Sequence, residues 1–343
     1  MDEYKFILKG RFDFGSKRSF DNVLNMYEWK ITNHYKKDVI IEQEELFNEE
    51  EMCLVFPRSY VTRGSLKNFN AITGLIQYLS DFAYTGQVET WRINETTREV
   101  EDYHFIEPTN DRAAVTQYEK GRKLAKEDDK TDEAMAALDI AIQKYENHAT
   151  AYERRAFISM KLKKYHDAIR DYSKSIKLYA GNPDPYYGRA IVHKITEDYA
   201  SAIEDFDTTI KRSIPLQPIH YAARRRKAES LMELENYDAA STELRFFTMR
   251  KFDENNSNFQ YRKKAYFNYG VCQYELGKYK ESVELLNKSL EIEKGKFAPS
   301  EEEIMYYRGM ARHKGGFPHS KKDLKQAAAA GISNAALFLA DVK

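Results

Sequence analysis

Residue types able to do acid–base, nucleophilic or metal chemistry occur along the whole chain, but their spacing gathers them nowhere. The eight histidines are scattered. His148, His166 and His193 fall near the ends of helical stretches, where capping or surface roles are expected, and His313 and His319 flank Gly315-Gly316 with no further ligand nearby in sequence. A zinc site needs three or four donors at short spacings, whereas the two cysteines, Cys53 and Cys272, lie in different segments. The runs Glu42-Gln43-Glu44-Glu45 and Glu49-Glu50-Glu51 hold many carboxylates. Catalytic carboxylates must converge on one substrate atom, so a solvated turn explains these runs better. No glycine-rich phosphate loop, His-Glu-x-x-His pattern or Gly-x-Ser-x-Gly elbow occurs. The expectation is a non-enzymatic protein without catalytic residues, metal or cofactor.

Bulk properties narrow the partners. Lys+Arg and Asp+Glu both number 54 in the 343 residues, so no net field favours nucleic acid. Residues 1–108 carry 13 Lys/Arg against 19 Asp/Glu, and the remainder 41 against 35. At ordinary salt that polarity steers weakly. No run approaches the ~20 apolar residues of a membrane helix, and Met1-Asp2-Glu3-Tyr4-Lys5 lacks the basic-then-apolar plan of a signal peptide. A cytoplasmic protein with no membrane or nucleic-acid partner is expected.

What would position any functional side chain is a repeat. Ala134, Ala168 and Ala202 are spaced 34 residues apart, and Tyr165 and Tyr199 each lead the alanine by three. A period near 34 is that of stacked helix–turn–helix units, each of which needs its neighbours to complete a core. The fuller pattern is aromatic, small, aromatic, small, aromatic or aliphatic. Tyr152, Ala156, Tyr165, Ala168 and Tyr172 fill it in one unit, and Tyr186, Ala190, Tyr199, Ala202 and Phe206 in the next. Another has Ala228, Tyr237, Ala240 and Leu244, with Arg224 in the first aromatic place, and a later one Tyr266, Gly270, Tyr279, Ser282 and Leu286. Weaker outer units run through Gly121, Leu124, Ala134, Leu138 and Ala141 and through Tyr306, Gly309, Phe317, Leu324 and Ala328, and Ile332 to Val342 reads as a closing helix. The longer spacings place extended loops at Pro215–Pro218 and Phe252–Phe259.

On these residues the segment from about 113 to 343 resembles the tetratricopeptide repeat (TPR) family. The resemblance implies an α-solenoid of about six repeats whose concave groove is lined by helix A of each unit. Carried onto this sequence, the groove positions are Glu153, Phe157 and Met160; Tyr187, Ile191 and Lys194; Arg225, Glu229 and Met232; and Phe267, Val271 and Tyr274. Aromatic, Met and aliphatic residues dominate them, which suits an amphipathic helix or an extended segment of another protein. One subclass grips a C-terminal carboxylate with Asn and Lys/Arg at these places, and the Asn is absent here. The basic run Arg224-Arg225-Arg226-Lys227 points in four directions around a helix, so salt bridges to neighbouring repeats are its expected use.

Before residue 108 the period changes. Phe6, Leu8, Phe12 and Phe14 alternate as on a strand, and Phe20, Val23, Leu24, Tyr27 and Ile31 step as on a helix, capped by Ser19. Val39-Ile40-Ile41 and Met52 to Phe56 read as two further strands, the latter ended by Pro57. A second helix runs from Leu66 through Phe82, capped by Ser65, and strands Val88–Ile93 and Tyr103–Ile106 follow, joined by a hairpin at Asn94-Glu95-Thr96-Thr97. The order β-α-β-β-α-β with an extra strand fits a ferredoxin-like sandwich. The whole reads as a mostly α chain: a small α+β domain over residues 1–108 and a TPR-like solenoid over 109–343. The expected function is an adaptor that binds a protein segment in the groove, with self-association open. The alternative is a regulatory protein whose first domain senses a ligand or dimerises and signals through the array.

Overall fold

The computed structural model describes residues 4–41, 46–293, 295 and 297–341. The acidic run Glu42–Glu45 and Val342 lie outside the described residues. The chain divides into two compact units, Met1–Val192 and His193–Lys343.

The first unit begins with β1 (Tyr4–Asp13), α1 (Lys17–Lys30), β2 (Phe47–Asn48), β3 (Cys53–Gly64), α2 (Leu66–Ser80), β4 (Thr85–Asn94) and β5 (Val100–Ile106). The strands pair antiparallel in the order β2-β3-β1-β4-β5. Read without β5, that is the split β-α-β order of a ferredoxin-like sandwich. Phe6, Leu8, Phe12 and Phe14 point to the helix-covered face and are fully buried, with the Phe6 ring 5.1 Å from Phe69 of α2. The alternate residues Lys9, Arg11 and Asp13 lie on the opposite face, in register with Glu89, Gln87 and Thr85 of β4.

Three local expectations change. Ser16, not Ser19, caps α1, accepting the Ser19 amide. Val39–Ile41 form no strand among the described residues, because the Ile41 carbonyl accepts the Tyr27 hydroxyl (3.1 Å) while Val39 and Ile41 pack into the core. Pro57 does not end β3. The register slips between Leu8 and Gly10, so residues 57–59 face a single residue, and the missing proline N–H falls in a bulge where no ladder bond is lost. Gly10 lies at the same irregularity with φ 140°, and a Cβ there would sit 2.0 Å from the Gln87 carbonyl oxygen.

Paired helices follow: α3 (Ala113–Leu124) with α4 (Thr131–Lys144), α5 (Ala149–Lys161) with α6 (Tyr165–Leu178), then α7 (Asp184–Ile195) and α8 (Tyr199–Arg212). Next come α9 (Pro218–Glu233) with α10 (Tyr237–Met249), α11 (Arg262–Glu275) with α12 (Tyr279–Glu291), α13 (Glu301–Gly315) with α14 (Ser320–Ala329), and α15 (Ser333–Asp341). The first and second helix of each pair are helix A and helix B. Ala156, Ala168, Ala202, Ala228 and Ala240 are fully buried where the helices cross. At Gly270 a Cβ would lie 2.7 Å from Leu286, so only glycine permits that approach. The A-to-B turns of the four middle pairs each place one residue in the left-handed region: Lys163, Glu197, Glu235 and Gly277.

A polar ladder fixes the helix pairs. Arg155 of α5 donates to Asp171 of α6 (2.6 and 2.9 Å) and to Asp139 of the preceding helix B (2.7 Å). Lys227 of α9 reaches Glu243 of α10 (2.9 Å) and Asp207 of α8 (2.6 Å). Arg308 of α13 reaches Asp323 of α14 (2.8 Å twice) and Asn287 of α12 (2.7 Å). Arg189 of α7 donates to Ser173 of α6 (2.8 Å). Each cation immediately precedes the small residue of its helix A. Each therefore meets the helix B behind it, and Arg155, Lys227 and Arg308 also meet the helix B of their own pair. In the α11–α12 pair Tyr269 occupies that place.

Within the first unit the helix-free face of the sheet packs on the array. Thr85 and Thr150 share a hydroxyl hydrogen bond (3.0 Å), the Tyr84 and Tyr145 rings lie 4.9 Å apart, and Arg11 lies over the Tyr179 ring. Glu107, just after β5, pairs with Arg122 of α3. Glu153 of α5 accepts from Asn182 (3.2 Å) and faces Asp184 of α7, which in turn meets Gln87 and Lys9 of the sheet. Burial, reinforced by the Asp184 and Glu107 charges and opposed by Arg154 and the Asn182 hydrogen bond, pushes the Glu153 carboxyl up to about 7. Asp184 is also raised, by burial against Lys9, Arg154 and the Gln87 hydrogen bond.

Two outcomes are expected. Arg155→Ala strands the buried Asp171 carboxylate and should cost about 3 kcal/mol in urea unfolding. In that background Asp171→Ala should cost clearly less than on its own; full additivity would show that the rung is not an energetic unit. A raised carboxyl holds a proton that the unfolded chain has released. The contribution of Glu153 is therefore complete below its ordinary value of 4.5 and lost as pH rises through about 7. Glu153→Gln should raise the urea midpoint at pH 8 and flatten its fall between pH 5 and 8. An unchanged profile would count against a shared proton.

Candidate functional site

The expected groove residues lie on helix A of successive pairs. Glu153, Phe157 and Met160 are on α5, Tyr187, Ile191 and Lys194 on α7, Arg225, Glu229 and Met232 on α9, and Phe267, Val271 and Tyr274 on α11. In the first unit this face is partly occupied by the chain itself. Thr150 and Asp184 meet the sheet and Glu153 faces Asp184, while Phe157, two turns along α5 from Thr150, stays exposed. Met160, Tyr187 and Ile191 are partly buried.

The second unit concentrates charge. Glu229 receives Lys194 (2.6 Å), Arg225 (3.1 Å) and Lys264 (3.3 Å). Arg226 and Lys264 also act on the Lys194 ammonium. Burial alone would push the Glu229 carboxyl up, but the Lys194, Arg225 and Lys264 charges outweigh it and hold the group down to about 2. Lys194 is lowered, by burial and then by Arg226 and Lys264 against the one carboxylate. Three cations divide a single anion, so each is under-compensated. The Arg225 guanidinium lies 3.9 Å from the Tyr261 ring centroid, and the Nε atoms of Arg225 and Arg226 have no hydrogen-bond partner. Beside the cluster, Phe267 and Tyr274 both pack on Tyr307 of α13 (5.5 and 6.2 Å between centroids), and the Tyr274 hydroxyl approaches the Met310 sulfur. Val271 is buried, so its side chain serves the core more than the face.

Of the basic run, three members form salt bridges, but only Lys227 reaches a neighbouring repeat as expected, at Asp207 (2.6 Å); Arg224 and Lys227 pair with Glu243 of the same helix pair, and Arg225 with Glu229 of its own helix. The run sits in the second and third turns of α9, past the helix start, so the N-terminal dipole does not oppose it. Arg226 pairs with no carboxylate among the described residues. Sequence reasoning missed Lys264, Tyr261 and Tyr307. Lys264 stands one turn before Val271's neighbour Asn268 on the same helix, a register the aromatic-small pattern does not mark.

His148 differs from expectation as well. It is buried against the Tyr118 ring (5.0 Å) rather than exposed, and burial pushes its imidazole down to about 3. His193 faces Asp198 (3.3 Å). Among the described residues no group of three or more His, Cys, Asp or Glu could hold a metal ion, and no helix is long and apolar enough to cross a membrane.

The tetratricopeptide-repeat family models match residues 149–182, 187–244 and 263–296. No curated protein sequence matches the chain. Among solved structures, YrrB, a TPR protein with an unusual peptide-binding site, is similar over 60% of this chain and 98% of its own, at 18% identity and a TM-score of 0.51. PilF of Pseudomonas aeruginosa is similar over 66% of this chain and 93% of its own, at 12% identity and a TM-score of 0.50. At these identities the likeness is one of fold. Combined with the helix pairs and their buried small residues, the matches show a segment of tetratricopeptide repeats within residues 149–296, a repeat type that supports protein–protein interaction in general.

Proposed function

We propose that the chain is a non-enzymatic interaction scaffold that takes an acidic segment of a partner protein on the helix-A face of its second unit. The observation carrying this is the imbalance around Glu229: Lys194, Arg225 and Lys264 share one carboxylate, and Arg226 adds a further positive charge acting on Lys194. A carboxylate from a partner would complete that cluster. The adjoining Phe267, Tyr274 and Tyr307 offer aromatic surface for an apolar residue next to the acidic one. In the first unit, by contrast, Thr150 and Asp184 are already engaged by the sheet, and Glu153 by Asn182 and Asp184.

The regulatory alternative has one observation in its favour, the contact of the sheet with the first helices through Thr150 and Asp184, the latter facing Glu153. If the first domain dimerises, light scattering should give twice the mass of the monomer, and Glu153→Gln should alter that mass. A monomer at all concentrations would remove this form of the alternative.

A displayed peptide library panned on the full chain should enrich sequences combining Asp/Glu with an aromatic or aliphatic residue. Binding should weaken with added salt. Arg226→Ala/Lys264→Ala should reduce affinity roughly tenfold or more with helicity retained, and Phe157→Glu should change it little. Enrichment of neutral or basic sequences, or loss of binding only in Phe157→Glu, would sink the proposal. Glu229→Gln removes the internal competitor, so acidic peptides should bind it more tightly. The depressed carboxyl also contributes stability above its ordinary value of 4.5 that is lost as pH falls toward about 2. Glu229→Gln should therefore unfold at lower urea at neutral pH and lose part of the drop between pH 4.5 and 2.

A further inference from the structure

The ladder breaks where Tyr269 replaces the bridging cation, and at the same junction the loop between α10 and α11 lengthens. A cleft of about 440 Å³ opens there, within the size range of small-molecule sites. Arg250, Lys251, Arg262 and Lys288 line it, with Glu291 as the one acid. Among the described residues none of these four cations pairs with a carboxylate. Arg262 lies over the Phe259 ring (3.5 Å) and donates Nε to the Phe259 carbonyl (3.1 Å), and Lys288 lies over Tyr266. The inner wall is apolar, with buried Phe247 and Phe252 and the partly buried Ile292.

Helix capping does not account for these charges. The Ile292 carbonyl after α12 already accepts Lys263 Nζ (3.2 Å), and the Thr248 carbonyl at the end of α10 accepts the Tyr266 hydroxyl (3.3 Å). The two helix C-termini amount to about one negative charge together, and Glu291 adds another. Against four cations, an excess of about two positive charges is left. A phosphate monoester carries about that charge with opposite sign, and the two guanidinium forks match its oxygens.

We infer that this cleft binds a small organic phosphate, its phosphoryl group held by Arg250, Lys251, Arg262 and Lys288 and its organic body against Phe247, Phe252 and Ile292. The site is separate from the helix-A cluster around Glu229, since it shares no residue with it.

Titration calorimetry on the full chain with AMP, glucose 6-phosphate, inorganic phosphate and adenosine tests this. At least one of the two esters should bind saturably and more tightly than inorganic phosphate, and adenosine should not bind. Arg250→Glu/Lys288→Glu should weaken the ester roughly tenfold or more. Both side chains are exposed and unpaired with acids, so the unliganded melting temperature should hold. Arg226→Ala/Lys264→Ala should bind the ester as the parent does. Binding by neither ester, equal binding of adenosine or of inorganic phosphate, or full affinity in the Arg250/Lys288 variant would each overturn the inference.

Discussion

The arrangement of both units depends on one recurring interaction, a cation on helix A that reaches the acid of its own helix B and a polar group of the helix B behind it. Apolar stacking alone would let neighbouring helix pairs slide, because alanine and glycine at the crossings are small and featureless. The directional bonds of Arg155, Lys227 and Arg308 remove that freedom. The acids on their own helix B are buried, with Asp171 and Asp323 only 4% and 2% exposed at the side chain. A buried carboxylate is tolerable only with its partners in place, so the ladder acts as a register device as much as a source of stability. Its effect is local, as expected where each repeat touches only its neighbours.

The same reasoning explains why one face of the sheet is so polar. Strand alternation sends the phenylalanines of β1 toward α1 and α2 and leaves Lys9, Arg11 and Asp13 on the other side. Arg11 is satisfied by Asp13, Glu51 and the Tyr179 ring, and Lys9 acts on Asp184. A polar sheet face normally meets water. Here it meets helices whose own ends are polar, and the contact is made by hydroxyls, rings and a raised carboxyl pair rather than by an apolar core. Such a contact is specific in register and sensitive to protonation.

Much of the fold could be read from the sequence because its signals are local. Period 34, the capping Ser65 and the phenylalanine alternation of β1 are all written in the residue types themselves. Misreadings arose where a distant group decided the outcome. Pro57 looked like a terminator, but the slip against Leu8 and Gly10 gave it a bulge to occupy. Val39–Ile41 looked like a strand, but Tyr27 took the carbonyl. Of the candidate site, the helix-A positions were legible as a set and their energetics were not. Val271 went to the core. Lys264 entered the site from a position the repeat pattern ignores.

Net charge conceals the most suggestive property of the second unit. Equal numbers of acids and bases could mean that every cation is matched, and along the ladder that holds, since Lys227 and Arg308 each have a buried acid. It fails at two places for different reasons. Around Glu229 the helix-A register stacks cations from three helices on one carboxylate. At the α10–α11 junction Tyr269 removes the rung, the loop lengthens, and four cations line a cleft with one acid. Neither excess strengthens the fold, because like charges held together repel. At both places an anion from outside can offset that cost.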